Sequence, residues 1–225
     1  FKRYAPALGE APTMQALAAS FRAQGIPFLE EGTELALLRG TRGPLAALQA
    51  LLGIEFGKAE LREVLDSRLL FQRFEFFGDI LLDFALVGAV GRALERSNAR
   101  VRPAHLQTLK FLLLSNNAMK KFCVVFGFAA AVTPSGAAPP PDLAARLGRL
   151  SLRDFLAFQA DAVSKAYSDF WEATAWLVFV EGGFELFERV FLRRLAPFLD
   201  YFVVNYRELE TSIGPHIAQC APVKL

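Results

Sequence analysis

One stretch, residues 69–84, restricts the fold more than any other, because it combines a strongly apolar helix with regularly spaced acids. On a helical wheel, Asp79 lies about 40° and Asp83 about 80° from Glu75, so the three acids form one stripe. The far side is apolar and consists of Phe74, Phe77, Leu81 and Phe84. A helix that is apolar on most faces is buried, and buried carboxylates require a positive partner. The stripe therefore predicts either basic side chains or a metal ion beside this helix.

A second apolar segment, residues 162–180, also carries a pair of acids. Asp169 and Glu172 are three residues apart and share one helical face, and Lys165 lies one turn earlier on that face. Two such helices packed together would bring the four carboxylates into one cluster. Oxygen-only carboxylate sites suit Mg²⁺ or Mn²⁺, and such an ion activates water for phosphodiester hydrolysis. The alternative is that these acids are the solvated faces of amphipathic helices, and spacing alone does not decide between the two.

The composition restricts the class of protein. With 225 residues, of which 53% are hydrophobic, the chain is long enough for one domain with a sizeable core, alone or with an appendage. A formal net charge of +2 excludes a wholesale polycation, so contact with nucleic acid requires a local basic patch. Cys123 and Cys220 lie far apart, which argues against a disulfide scaffold or zinc site and for a reducing compartment. The longest apolar run, residues 69–91, contains four charges and is not expected to span a membrane.

Helical periodicity accounts for most of the chain, and no segment alternates convincingly like a strand, so the predicted class is all-α. Three regions are expected: an N-terminal arm at 1–43, one helical domain at 44–200 and a C-terminal tail at 201–225. Residues 129–141 read as a Pro/Ala-rich surface excursion or linker. The predicted helices are residues 14–24, 44–52, 58–67, 69–96, 103–114, 118–126, 143–150, 152–158, 162–180 and 184–201.

Four segments resemble, in the same order, the ribonuclease III family. FQRFEFFGDILLDF is similar to the signature N/Y-x-R-L-E-F-L-G-D-x-x-L, and SKAYSDFWEATAWLVFVEGG is similar to the later motif K-x-x-x-D-x-x-E-A, both in a Dicer-like form. HLQTLKFLLLSNNAM resembles the intervening L-x-x-L-R-x-x-L-V-S-N segment, and LAALQALLGIEFGKAELREVLDSR resembles the opening segment of the family. Together they cover residues 44–197, and the resemblance implies an all-α ribonuclease III endonuclease domain.

The resemblance also implies the site residues. Four acids match the carboxylates that bind Mg²⁺ or Mn²⁺ and catalyse the cutting of double-stranded RNA in this family: Glu75, Asp79, Asp169 and Glu172. Lys165 and Asn116 match positions just outside the metal ligands, although Lys165 is explained equally well as an ion-pair partner of Asp169 or Glu172. Gly78 matches a position of close approach. Phe76 and Phe77 match the dimer interface, so the expected partner is a second copy or another ribonuclease III-like chain.

Several features depart from the family pattern. Asp66-Ser67-Arg68 stands where the family has H-x-S, and Phe179-Val180-Glu181 replaces the usual end of the later motif. Residues after 201 are too few for a double-stranded RNA-binding domain, so we expect other proteins or RNA to place the chain on its substrate.

Two functions follow from the residues and the resemblance. The first is a metal-dependent endoribonuclease that acts on double-stranded or structured RNA. The second is a non-catalytic ribonuclease III-like structural or RNA-binding protein of a large ribonucleoprotein. That particle would be a mitochondrial ribosomal large subunit, its assembly intermediate or an RNA-processing complex. The complete set of four carboxylates favours the enzyme.

An intracellular location is expected, without a membrane partner. The first 24 residues contain Lys2, Arg3 and Arg22 but also Glu10, which is a weak indication of the remains of a transit sequence. The expected compartment is the mitochondrion if that indication holds, and otherwise the cytoplasm or the nucleus.

Overall fold

The computed structural model describes residues 13–28, 43–57, 63–65, 67–97, 103–131, 139–140 and 142–220. Within these ranges the chain is helical, and the β-type pairing they contain is an isolated bridge between Thr13 and Ser151, which confirms the all-α class. The helices are α1 Met14–Ala23, α2 Pro44–Leu52, α3 Arg68–Ser97, α4 Pro103–Leu114, α5 Asn116–Val125, α6 Leu143–Gly148, α7 Leu152–Ala157, α8 Ala166–Phe187 and α9 Arg193–Cys220. A 3₁₀ turn at Phe128–Ala131 and a π-helical turn at Glu188–Leu192 complete the described elements.

Short polar residues fix the helix starts that matter for the site. The Ser115 hydroxyl accepts a hydrogen bond from the Ala118 amide at 3.2 Å, which ends α4 and begins α5. The Ser151 hydroxyl accepts one from the Asp154 amide at 3.0 Å and begins α7. Both bonds satisfy a backbone donor that a helix start leaves free, and this explains the position of each break.

The core is centred on α8, which packs against α3 on one side and α5 on another. Trp171 is fully buried in the middle of α8. Its ring centroid lies 4.9 Å from those of Phe128 and Phe191 and 5.9 Å from that of Phe122. Aromatic pairs at these separations add to the burial of apolar surface, so α8 is a rigid support for the polar side chains on its other face.

A close contact between α3 and α8 is made possible by Gly78. A methyl group added at Gly78 would lie 1.9 Å from the backbone carbonyl oxygen of Glu172. Only glycine fits there, because two non-bonded heavy atoms cannot come as close as 1.9 Å. The position of close approach expected at Gly78 is therefore present, and it brings the acidic faces of the two helices together.

The N-terminal arm contributes to the core. Helix α1 agrees with the predicted helix at 14–24, and Met14, Leu17 and Phe21 are fully buried. The Phe21 ring lies 5.1 Å from that of Phe126 at the end of α5. The apolar face of α1 therefore packs into the same core as the helices that follow it. The predicted boundary at residue 43 stays a prediction.

The C-terminal helices differ from the prediction. The backbone leaves the helical conformation at Gly182 and Gly183, where Gly183 has φ 66°, and then resumes it, so α8 continues to Phe187. The helix predicted to end at residue 201 is wrong at its end, since α9 runs to Cys220 with a local break at Asn205. Leu209 is fully buried, and this packing explains why the helix continues. The predicted helix 58–67 falls largely outside the described residues, as does most of the linker at 129–141.

Helix α3 is not buried on all of its apolar faces, in contrast to the expectation from its composition. Phe76 is 61% exposed, Phe84 73% and Val87 69%. Together with two neighbours they form what we call the α3 apolar row, which consists of Leu69, Phe76, Ile80, Phe84 and Val87. No helix among the described residues is both long enough and apolar enough to cross a membrane.

Candidate metal centre

Three of the four predicted carboxylates come together between α3 and α8. One carboxylate oxygen from each of Glu75, Asp169 and Glu172 lies within 4.8 Å of the others, which is close enough for the three to hold a metal ion. We call these three residues the carboxylate cluster. Asp79, one turn after Glu75, lies outside the cluster but lines the same groove, and its charge acts on Glu172.

Lys165 connects the two helices that supply the cluster. It directly precedes α8, and its ammonium donates to Glu75 Oε1 at 3.4 Å and to Asp169 Oδ1. Partial burial alone would lower the pKa of Lys165, but the hydrogen bond to Asp169 and the charges of Asp169 and Glu75 outweigh it and raise the pKa. Both sequence interpretations of Lys165 agree with this position, since it pairs with Asp169 and lies beside the cluster.

The pKa of Glu172 is the most strongly shifted of the cluster. Its side chain is buried, with 6% of the residue exposed. Burial, followed by the negative charges of Asp79, Asp169 and Glu75, raises its pKa to about 8, and Lys165 opposes this only in part. Around pH 7 the carboxyl of Glu172 therefore favours its protonated form, and an added cation would favour the ionised form.

Asp79 and Asp83 continue the acidic stripe of α3 in different surroundings. Burial and the charge of Asp83 raise the pKa of Asp79, while Lys110 and Lys165 act in the opposite direction. Asp83 accepts a hydrogen bond from Lys110 on α4 and does not belong to the cluster. The stripe thus ends in an ion pair. Of its three acids, only Glu75 belongs to the group of carboxylates that could hold a metal ion.

A groove of about 1030 Å³ opens in front of the carboxylates. Its walls carry amide and ammonium groups from α3, α4, α5 and the segment before α8, among them Gln72, Gln107, Lys110, Asn116, Lys120 and Gln159. Asn116 lines this groove in the first turn of α5, but within the described part of the chain it makes no hydrogen bond to the carboxylates, so its expected role beside the metal ligands stays a prediction.

Phe76 and Phe77 differ in their surroundings. Phe76 is largely exposed at the edge of the groove and belongs to the α3 apolar row. Phe77 is 41% exposed and stacks on Trp176 of α8, with 5.0 Å between ring centroids. Phe76 is thus free to meet another molecule, whereas Phe77 is partly used within the chain. Their predicted role in a dimer interface stays a prediction.

Two polar residues of α5 were not predicted as part of the site. Asn117 and Lys121 bind the backbone at the end of α7 and at the start of the segment that leads from α7 to Lys165. Their spacing could have indicated a shared role, because Asn117 and Lys121 are four residues apart and lie on one helical face. This spacing did not decide the role, because a lysine that directly follows Lys120 is expected to be exposed to solvent.

Comparison of the chain with family models, curated proteins and solved structures gives no match in any of the three.

Proposed function

We propose that this chain is a metal-dependent endoribonuclease of the ribonuclease III type, which hydrolyses phosphodiester bonds in double-stranded or structured RNA. The observation that carries the proposal is that Glu75, Asp169 and Glu172, which come from two helices, each place a carboxylate oxygen within 4.8 Å of the others beside a groove. Carboxylates placed this close repel one another, and the single ammonium of Lys165 balances only part of their charge. A helical scaffold has no need for such a cluster, whereas a cation site requires it.

The donor set fits Mg²⁺ or Mn²⁺. Glu75, Asp169 and Glu172 would hold the ion, and Asp79 would add negative charge from the same face of α3. All are oxygen ligands, which hard divalent cations prefer, and the groove leaves room for water and phosphate oxygens beside them. When bound, such an ion lowers the pKa of water and stabilises the charge that develops on a phosphoryl group.

The residues of the chain prepare the site for that ion and for RNA. Lys165 keeps Glu75 and Asp169 close to each other despite their like charges. Lys110 and Lys120 line the groove and supply positive charge for phosphate contacts, which dominate the affinity of proteins for nucleic acid. Glu172 is buried, and its backbone carbonyl lies against Gly78, so α3 and α8 are held close together where their carboxylates meet.

The α3 apolar row is a candidate surface for binding another protein chain. Its five side chains lie along one face of α3 at spacings of seven, four, four and three residues, which is a helical stripe. Contiguous exposed apolar patches of this kind mark interaction sites. We propose that a second copy of this chain covers the row, with another ribonuclease III-like chain as the alternative occupant.

The test of the function is cleavage by purified protein. Long duplex RNA is incubated with the protein and Mg²⁺ or Mn²⁺, and the products are separated by size. Glu172→Gln and Asp79→Asn should abolish cleavage, while Glu185→Gln should leave it unchanged, since Glu185 is an exposed acid further along α8.

Absence of cleavage by the wild-type protein, alone and with candidate partner chains, would overturn the proposal. Stable co-sedimentation with large ribonucleoprotein particles under those conditions would support the non-catalytic alternative instead.

A further inference from the structure

Lys121 is a buried cation in an unusual setting. The residue is 1% exposed, yet within the described ranges it forms no ion pair with a carboxylate. Its ammonium instead donates to three backbone carbonyls, those of Phe155 at 2.6 Å, Leu156 at 3.0 Å and Phe158 at 3.0 Å. Burial lowers the pKa of Lys121 to about 7, which reflects how strongly its surroundings disfavour the charge.

The three carbonyls lie where α7 ends. The last carbonyls of a helix lack partners within the helix and carry the negative end of its dipole, so a cation is favourable there. Each of the three N–H groups of the ammonium is matched by one acceptor, which leaves no donor unsatisfied. Lys121 therefore fixes the end of α7 and the start of the segment that follows.

Asn117 holds the same segment one turn earlier on α5. Its side-chain amide donates to the Phe158 carbonyl at 2.9 Å, and its side-chain oxygen accepts from the Ala160 amide at 2.7 Å. Lys121 and Asn117 thus make five hydrogen bonds to the backbone of residues 155–160.

This segment leads directly to the carboxylates. The α7–α8 loop, residues 158–165, places Gln159 and Asp161 on the groove wall and ends at Lys165, which holds Glu75 and Asp169. Lys121 does not line the groove itself, and its hydrogen bond to the Phe158 carbonyl connects it to the start of this loop. The first residue of the loop, Phe158, is hydrogen-bonded to α5, and its last residue, Lys165, is hydrogen-bonded to the carboxylates.

We propose that Lys121 and Asn117 are positioning residues, which hold the α7–α8 loop so that Lys165 stays between Glu75 and Asp169. The importance of this position for RNA cleavage rests on the proposed function. The positioning itself does not, and it can be measured without metal or RNA.

The experiment measures the reactivity of each lysine by acetylation of the metal-free protein at neutral pH, followed by mass spectrometry. Lys165 should react slowly in the wild type, because two carboxylates hold its amine. Lys121→Met and Asn117→Ala should each raise its rate by at least roughly fivefold, which is the effect of losing even one hydrogen bond of ordinary strength. Lys110, paired with Asp83 of α3, serves as the internal reference and should not change. Lys121→Arg, which keeps the charge, should restore part of the protection.

A matched control separates positioning from loss of stability. Leu17→Ala creates a cavity in the core at α1, which contributes no residue to the groove, and should leave Lys165 at its wild-type rate. Asn117 is only partly buried, so Asn117→Ala keeps the test valid if Lys121→Met fails to fold. An unchanged Lys165 rate in the folded variants, or an equal rise in Leu17→Ala, would overturn the proposal.

Mn²⁺ affinity then connects the loop to the proposed function. Lys121→Met should weaken Mn²⁺ binding in the wild-type background and add nothing in a Lys165→Met background, because both changes act on the same contact. If the wild type binds no Mn²⁺ and cuts no RNA, the proposed function fails, while the acetylation result still decides whether Lys121 and Asn117 position Lys165.

Discussion

Gly78 of α3 lies against the backbone carbonyl of Glu172 on α8, at a distance that excludes even a methyl group. This contact sets how closely the two acidic helices approach. It therefore connects the stability of the fold with the geometry of the carboxylate cluster, and one substitution tests both.

Gly78→Ala should destabilise the protein by about 1–3 kcal/mol, because the new methyl group forces α3 away from α8. The same shift separates Glu75 from Glu172 and should weaken Mn²⁺ binding. Gly91→Ala is the matched control on the same helix. A methyl group at Gly91 meets nothing within 4 Å, so the change should stabilise α3 by about 0.5–1 kcal/mol. Chemical denaturation measures the free energy of unfolding, and titration calorimetry measures the affinity for Mn²⁺. Equal effects of the two substitutions would contradict the close contact.

The raised pKa of Glu172 predicts how the stability of the metal-free protein depends on pH. Its folded-state pKa is about 8, above its ordinary value of 4.5, so the folded protein holds an extra proton between these values. The corresponding stabilisation is complete below pH 4.5 and is lost as the pH rises through 8. In the presence of a chelator, the melting temperature should therefore fall from pH 5 to pH 8.5. In Glu172→Gln this part of the decrease should be missing, and identical pH profiles of the two proteins would show that Glu172 titrates normally.

Metal binding should compete with protonation of the same carboxyl. We expect Mn²⁺ affinity to rise between pH 6 and pH 8, with release of a proton from Glu172 on binding. Titration calorimetry in two buffers of different ionisation enthalpy measures the number of protons released. Glu172→Gln should lower the affinity at least about tenfold and remove the proton release, since it eliminates a ligand and its titration. Proton release that persists in Glu172→Gln would assign it to another group.

The α3 apolar row predicts self-association. Phe84→Glu places a charge in the middle of the row and should shift the protein toward the monomer in sedimentation velocity experiments. Val204→Glu on α9 is the matched control, because Val204 is as exposed as Phe84, at 73%, but lies outside the row. Both substitutions should leave the melting temperature of the monomer nearly unchanged, because both side chains are largely exposed. A wild-type protein that is monomeric at all concentrations would exclude a second copy as the partner and favour a different chain.

Helical periodicity predicted the class of fold, and helical spacing placed Glu75 with Asp79 on one helix face and Asp169 with Glu172 on another. That the two faces meet was implied only by the resemblance to the ribonuclease III family. The sequence did not predict that Asp79 would lie outside the cluster. Nor did it predict the ion pair between Asp83 and Lys110, because only the packing of α4 on α3 brings the two together. The burial of Lys121 was also unpredictable, because its partners are backbone carbonyls more than thirty residues away. The end of α9 was missed for the same kind of reason: Leu209 is buried by tertiary packing, which a local pattern does not reveal.

The exposed side chain of Phe76 follows Glu75 directly in the chain, and Gly78 comes two residues later. A molecule that settled on the row would therefore touch a neighbour of a candidate ligand, without any intervening layer of protein. Binding of a partner to the row would then change the affinity of the carboxylate cluster for a metal ion, because both involve the same turn of α3. Natural variants of this turn would be expected to change both properties together.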